Sequence, residues 1–268
     1  DFYEHGWIAD VLTRVKGGKE ANVYQCKGGA ATDETYAAAK VYRPRSMRNL
    51  KNDHMYREGR TDLDEEGREV VKEGDLRAIR QRTDYGKRLL HQSWIAYEFR
   101  ALERLAAAGA AVPKPLAMSH NAILMGFIGD PSGPAPALQE ISLRRNEAEP
   151  LFEQAISQID LLLSEGVIHG DLSAFNILYW EDSLTLIDFP QFVQPEINNN
   201  SYRIFRRDVV RVCEYFAKQG IASNPDQLAQ KMWVSHGYRL EKLVDPANLD
   251  ADKPEDRALW ERQDKQKA

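Results

Sequence analysis

The sequence predicts an α+β fold of two lobes, in which an antiparallel sheet and one long helix precede a smaller, mainly helical part. Apolar, β-branched runs separated by glycines near the start indicate strands, and most later apolar residues recur at helical spacing. With 268 residues, 43% of them hydrophobic, the chain is long enough for each lobe to bury a core.

The predicted strands share a short length, an apolar or β-branched composition and flanking turn residues. Gly17-Gly18 separates the first two, as is typical of a hairpin. Strands are predicted at residues 11–15, 21–26, 36–42, 116–118 and 122–125.

A charged segment and a long helix separate the third of these strands from the fourth. Residues 43–86 contain few aliphatic side chains, so we expect an insertion with short helices at most. Apolar residues at helical spacing then predict a helix over 87–109, which ends at Gly109. The insertion begins with a basic cluster that forms either a solvated loop or a macromolecule-binding patch: Arg43, Arg45, Arg48, Lys51, Arg57 and Arg60.

The second lobe follows a Gly- and Pro-rich stretch, residues 129–136, that is typical of a hinge between lobes. Apolar periodicity predicts helices over 151–163, 202–219 and 225–236. The predicted division is a first lobe at 1–128, a second lobe at 129–240 with the hinge at its start, and a polar tail at 241–268.

The strongest chemical signal is an H-x-D-x-x-x-x-N spacing at residues 169–176, followed by Asp188 directly after the apolar run 184–187. Phosphoryl transfer needs a carboxylate near the acceptor hydroxyl, and an amide and a second carboxylate that hold Mg²⁺. Asp171, Asn176 and Asp188 meet these needs in that order.

Each of these residues has an ordinary structural explanation when taken alone, because Asp and Asn in loops often cap helices or form Asx turns. Their combination makes that explanation weak. A carboxylate at the end of an apolar strand also needs a partner, which indicates a cation near Asp188. His169, in contrast, is expected to pack and to hydrogen-bond the loop backbone.

Lys40 interrupts the apolar strand 36–42 and either faces solvent on an edge strand or contacts phosphate oxygens. The second interpretation requires a carboxylate that holds the ammonium group. We choose Glu98, at the margin of the apolar stripe of the long helix, over Glu103, which is expected on the solvent side.

A glycine-containing turn at residues 17–24 allows backbone N–H groups to approach an anion, although a plain hairpin turn explains it equally. Lys19 in this turn either contacts the phosphates or is solvated. The turn lacks both the G-x-G-x-x-G pattern and the G-x-x-x-x-G-K-[ST] pattern.

These segments resemble the RIO family of atypical serine kinases. Gly18-Lys19-Glu20-Ala21-Asn22-Val23-Tyr24 is similar to its phosphate-binding loop, and residues 169–176 and 187–191 to its catalytic and metal-binding loops. Phe127-Ile128-Gly129 resembles its hinge and Phe205-Arg206-Arg207-Asp208 the entry to its C-terminal helix. The resemblance runs over residues 7–220.

The resemblance implies a two-lobed protein-kinase-like fold with a truncated helical second lobe, and use of ATP with Mg²⁺ or Mn²⁺. The adenine is then expected at backbone groups of Met125, Phe127 and Ile128. Asp171 is the implied catalytic base, and Asp188 can also accept the γ-phosphate as an aspartyl phosphate. A protein substrate of unknown identity and a ribosomal or RNA–protein particle are the implied partners.

The subfamily is less clear from the residues. The segment before Gly18 indicates the subfamily without a winged-helix domain, whereas Asp188-Phe189-Pro190-Gln191 is closer to winged-helix members. A bacterial relative is compatible with this mixture.

Two other functions stay open at this point. A small-molecule kinase of the aminoglycoside or choline type uses a similar H-G-D-x-x-x-x-N loop. A non-catalytic, ATP-gated module could dock on an RNA–protein particle through the basic cluster.

Composition limits the location of the protein. Cys26 and Cys213 have no neighbour at metal-ligand or redox spacing, which favours a reducing, cytoplasmic compartment. No apolar run approaches the roughly 20 residues of a membrane span, and no secretory leader is seen. The net charge of −5 by itself indicates no partner.

Overall fold

The computed structural model describes residues 1–18, 20–43, 61–64 and 67–240. Lys19, the basic cluster except Arg43, and the tail 241–268 lie outside the described residues. The α+β prediction is confirmed: an antiparallel sheet comes first in the chain, and helices make up most of the second half.

The sheet contains five strands in the order β1-β2-β3-β5-β4. All neighbouring strands are antiparallel. The strands are β1 at Ile8–Gly17, β2 at Ala21–Gly28, β3 at Tyr36–Tyr42, β4 at Pro115–Ser119 and β5 at Ala122–Gly126.

The edge strand β1 is longer than the predicted 11–15, because it pairs with β2 along its whole length through three register shifts. Most of its side chains are exposed, so its sequence carries little apolar signal. The central strand β3 is buried on both faces. Side chains alternate along a strand, so Ala37 and Ala39 face one core while Lys40 and Tyr42 lie on the opposite face of the strand. On that face Tyr42 is part of a second core.

Two helices follow the part of the charged insertion that lies outside the described residues. The first, α1 at Glu73–Arg80, agrees with the expected short helices. The second, α2 at Asp84–Ala107, begins before the predicted residue 87. Thr83 explains the earlier start, because its side-chain oxygen accepts a hydrogen bond from the Gly86 N–H at 3.0 Å and caps the helix.

A two-residue hairpin, β6 at Gly129–Asp130 and β7 at Gly133–Pro134, occupies the predicted hinge. Gln25 of β2 is buried and donates its side-chain amide to the Asp130 carbonyl at 3.2 Å. This hydrogen bond connects the sheet to the segment that leads into the second half of the chain.

Up to residue 240, the last one described, the second half begins with a short 3-10 turn at Leu138–Glu140 and continues with three helices and one hairpin. The elements are α3 at Arg145–Ser164, β8 at Ile177–Trp180, β9 at Ser183–Leu186, α4 at Ser201–Lys218 and α5 at Pro225–Ser235. One large core joins α2 to these helices, and a smaller one lies on the other face of the sheet. None of the helices in the described residues is both long and apolar enough to cross a membrane.

Candidate active site

Backbone hydrogen bonds hold two loops of the second half side by side. Ile168 and Val193 exchange N–H···O bonds of 2.9 Å at one end, and the Ile187 N–H donates to the Asn176 carbonyl at 3.0 Å at the other. The loop that carries Asp171 therefore lies directly against the loop that carries Asp188.

His169 is buried between these loops and is fixed as one neutral tautomer. Its Nδ1 accepts from the Asp171 N–H at 3.3 Å, so its Nε2 carries the proton and donates to the Ile187 carbonyl at 3.0 Å. The ring also packs on Phe189, with centroids 4.5 Å apart. These contacts match the structural role expected for His169.

Replacing His169 by glutamine is expected to remove part of the acid sensitivity of folding. Burial lowers the pKa of His169, so the unfolded chain takes up a proton below about 6.5 that the folded chain resists. Stability from this residue is complete above that pH and decreases as the pH falls, by at most about 1.4 kcal/mol per pH unit. Urea unfolding of both proteins from pH 7.5 to 5 checks this, and parallel pH curves would contradict it.

Asp171 and Asn176 are joined through the loop that they share. The Asn176 side-chain NH2 donates to the Asp171 backbone carbonyl at 2.9 Å. Because the amide nitrogen makes this bond, the amide oxygen of Asn176 points away from the Asp171 carbonyl. That oxygen is the atom that can bind a cation. The Asp171 carboxylate is half exposed and accepts from Arg211 Nη1 of α4 at 2.8 Å.

Lys40 lies between two carboxylates. Its ammonium donates to Glu98 Oε1 at 2.5 Å and also to Asp188 Oδ1. Tyr42, two residues further along β3, donates its hydroxyl to the other Glu98 oxygen at 2.7 Å. Glu98 is 1% exposed, so the pair with Lys40 is removed from solvent.

The charges of this cluster stabilise one another. Burial alone would lower the pKa of Lys40, but the carboxylates of Asp188 and Glu98 outweigh it and raise that pKa above its ordinary value. For Asp188 burial alone would raise the pKa, but the Lys40 ammonium outweighs burial and the pKa is lowered. Lys40 and Asp188 are therefore both charged at neutral pH.

Asp188 also has an unusual backbone conformation, with φ of +72°. This left-handed region is uncommon for residues other than glycine, with Asn and Asp enriched there. Asp188 lies two residues after the end of β9, and in this conformation its carboxylate accepts a hydrogen bond from Lys40.

Side chains of helix α4 hydrogen-bond the backbone of the loop that carries Asp171. Asp208 is buried and accepts from the Gly170 N–H at 2.7 Å, while Arg207 donates to the Gly170 carbonyl. Burial raises the pKa of the Asp208 carboxyl to about 7, although Arg207 and the Gly170 N–H act in the opposite direction. Gly170 has φ of +84°, and a Cβ there would lie 2.1 Å from the Gln191 carbonyl oxygen, so only glycine fits.

The predicted adenine-contacting residues lie at the end of β5 and just beyond it. Met125 pairs with Ala38 inside the sheet. The Phe127 N–H donates to the Tyr36 carbonyl at 3.3 Å, and the Ile128 carbonyl accepts from the Ala135 N–H at 2.9 Å. The backbone of this segment is thus held firmly beside β3, the strand that carries Lys40. The role assigned to Lys19 lies outside the described residues.

The family resemblance places Arg207 and Asp208 at a helix entry and implies no role for them, and no sequence motif includes Arg211. One signal for Asp208 was available: a carboxylate at helical spacing from Phe205, Val209 and Val212 would be buried and would need hydrogen-bond donors. Arg211 gave no comparable signal, because an arginine on a helix is usually exposed.

A groove of about 470 Å³ opens beside these loops. Its walls include Asp171, Asn176 and Asp188 on one side, and Arg211, Glu214 and Lys218 of α4 on the other. Phe175, which is 60% exposed, also lines it. Neither Lys40 nor residues 125–128 are among the described residues that line the groove.

Asn176 and Asp188 have the donor chemistry for a divalent ion. Mg²⁺ is usually held by one or two carboxylates together with waters and substrate phosphates, and a carboxamide oxygen is also suitable. In the part of the chain that the structure describes, no three His, Cys, Asp or Glu side chains are grouped to hold a metal by themselves. The Asn176 amide oxygen, which is not the atom bonded to Asp171, and the half-exposed Asp188 carboxylate fit such an ion.

Comparison with known proteins gives a consistent assignment. A family model of the RIO domain matches residues 22–228. The chain is 32% identical over 211 residues to the RIO-type serine/threonine-protein kinase Rio1 of Haloferax volcanii, covering 79% of this chain and 64% of that protein. It is 30% identical over 158 residues to the protein of that name in Thermoplasma acidophilum, covering 59% and 81%.

A eukaryotic relative shows the same similarity over a longer stretch. The chain is 29% identical over 246 residues to serine/threonine-protein kinase RIO1 of Saccharomyces cerevisiae, covering 89% of this chain and 50% of that protein. The chain therefore spans less than two thirds of the length of the Haloferax and yeast proteins.

Proposed function

The chain belongs to the RIO family, and from this premise we propose that it is an ATP-dependent phosphotransferase of the atypical serine/threonine protein kinase type. The observation that carries the proposal is the position of Lys40, which is hydrogen-bonded to Glu98 of the long helix and to Asp188 of the second half. Phosphoryl transfer by kinases uses a lysine paired with a helix glutamate and located beside a metal-binding aspartate.

In this proposal Lys40 binds phosphate oxygens of ATP while Glu98 keeps the ammonium oriented. Asn176 and Asp188 hold Mg²⁺ or Mn²⁺, which supplies positive charge where negative charge develops on the transferred group. Asp188 already has a cationic partner in Lys40, so an incoming metal–nucleotide complex takes over part of that charge neutralisation. Backbone groups of Met125, Phe127 and Ile128 contact the adenine, and Lys19 extends toward the phosphates.

Two outcomes of the transfer are open to this arrangement. In the first, Asp171 accepts the proton of a serine or threonine hydroxyl, whose oxygen attacks the γ-phosphorus. In the second, the Asp188 carboxylate itself attacks the γ-phosphorus, which gives an aspartyl phosphate that water later hydrolyses to phosphate and makes the protein an ATPase. In both outcomes the bond from the γ-phosphorus to the bridging oxygen breaks and ADP leaves. The first outcome needs a base and the second does not, because a carboxylate has no proton to lose.

The partners follow from the same proposal. ATP and a protein substrate are required, and a ribosomal or RNA–protein particle remains a prediction from the resemblance. The relatives named above are protein kinases, which does not favour a small-molecule kinase or a non-catalytic module. A cytoplasmic location also stays a prediction.

Replacing Asp171 by asparagine is expected to slow transfer to hydroxyl groups by about 100-fold and to leave transfer to Asp188 within about threefold, because only the first needs a base. The protein is incubated with Mg²⁺ and γ-labelled ATP, and acid-stable label on serine or threonine is separated from hydroxylamine-labile label. Wild-type protein that binds ATP but forms neither product would refute the phosphotransferase proposal.

A further inference from the structure

The groove beside α4 has a composition that the ATP and metal roles do not explain. Arg211, Glu214 and Lys218 recur at three, four and seven residues along α4, so they form one face of that helix. This face lines the groove together with Asp171 and the exposed Phe175. The groove therefore contains the predicted base and a polar helix face, but it is separate from the strand that carries Lys40.

Arg211 is the point at which α4 contacts the predicted base directly. Its Nη1 donates to Asp171 Oδ1 at 2.8 Å, and the two side chains are 39% and 48% exposed. An ion pair with this exposure contributes little to folding stability. It does favour one orientation of the Asp171 carboxylate, because Arg211 engages Oδ1 and leaves Oδ2 for another partner.

We propose that Arg211 is a positioning residue, which holds the Asp171 carboxylate in the orientation needed to accept the proton of the hydroxyl acceptor. The inference rests on the phosphotransferase function proposed above. The acceptor oxygen forms a bond to the γ-phosphorus, the bond from that phosphorus to the bridging oxygen breaks with its electrons leaving on ADP, and the hydroxyl proton passes to Asp171. Arg211 keeps the accepting oxygen of Asp171 directed at that hydroxyl.

The test uses the two chemically distinct products. Arg211→Gln is expected to slow labelling of serine and threonine, on the chain itself and on added casein, by about 10- to 100-fold, since a small misplacement of a catalytic group has this effect. Hydroxylamine-labile label on Asp188 should stay within about threefold, because that transfer does not use Asp171. Arg211→Lys keeps the charge and should recover part of the loss.

Arg206→Gln is the matched control. Arg206 lies on the same helix and forms an ion pair with Asp226 at 2.7 Å, away from the groove. In the Arg206→Gln variant both forms of label should appear as in the wild type. The thermal unfolding temperature of Arg211→Gln should be no lower than that of Arg206→Gln.

Three results would overturn the inference. Arg211→Gln could slow both products equally, which would give Arg211 a role in the transfer itself or in folding. It could slow neither product. The wild type could form the aspartyl phosphate without labelling any hydroxyl, in which case Asp171 is not a base and Arg211 does not position one, although the phosphotransferase function stands. A wild type that forms neither product fails at the proposed function instead.

Discussion

Asp188→Asn is expected to lower ATP turnover by about 1,000-fold, which corresponds to about 4 kcal/mol of transition-state stabilisation. The carboxylate is the strongest predicted ligand of the divalent ion and also the predicted nucleophile, so both outcomes of transfer depend on it. Asparagine is chosen because it tolerates the φ of +72° at this position and keeps a hydrogen-bond acceptor for Lys40. Release of labelled phosphate and both forms of bound label are measured.

Asp182→Asn is the control for this substitution. Asp182 also has a positive φ, 59°, but it is exposed in the turn between β8 and β9, where it accepts a hydrogen bond from Tyr179. Its replacement should leave turnover unchanged. Turnover by Asp188→Asn within tenfold of the wild type would contradict the assignment of Asp188.

Asp188 shows which part of the site could be predicted from the sequence and which part could not. The apolar run 184–187 indicated that a carboxylate immediately after it needs a cation, which is correct. In the structure the Lys40 ammonium is one such cation, and the metal assigned to the same carboxylate stays a prediction. A local pattern identifies the need for a partner, but the partner comes from a strand 148 residues away.

Contacts set by local spacing were accessible from the sequence, and contacts set by packing were not. The choice of Glu98 over Glu103 relied on helical phase alone, and the structure brings Glu98 to Lys40 across 58 residues. Arg207, Asp208 and Arg211 contact the Asp171 loop only because α4 packs against it, an arrangement that no periodicity reports. The division of the chain at residue 128 stays a prediction.

Lys40→Met is expected to lower the free energy of unfolding by about 3 kcal/mol, in addition to abolishing ATP turnover. The substitution leaves the Glu98 carboxylate, which is 1% exposed, without its ammonium partner, and breaking one half of a buried ion pair costs about 3–5 kcal/mol. Tyr42 still donates to Glu98, which places the expected loss at the lower end of that range. Asp188 adds little because its side chain is 42% exposed and can be solvated.

Lys114→Met is the control for the buried charge, because Lys114 also lies between two carboxylates but is exposed. Lys114 lies 3.0 Å from Asp33 and 2.9 Å from Glu34, but it is 54% exposed, so its replacement should cost less than about 1 kcal/mol. The double variant Lys40→Met/Glu98→Gln removes both buried charges and keeps an acceptor for Tyr42. It should recover most of the lost stability while ATP turnover stays absent, because a neutral pair avoids the unpaired charge but cannot bind phosphate.

Urea unfolding of the four proteins measures these differences. If Lys40→Met were no more destabilised than Lys114→Met, or if the double variant were less stable than Lys40→Met, the buried charge would not be the cause. The expected result is recovery of stability without recovery of turnover. It would show that a neutral pair of similar size stabilises the fold as well as the Lys40–Glu98 pair does, and that the charged pair is needed for phosphate binding.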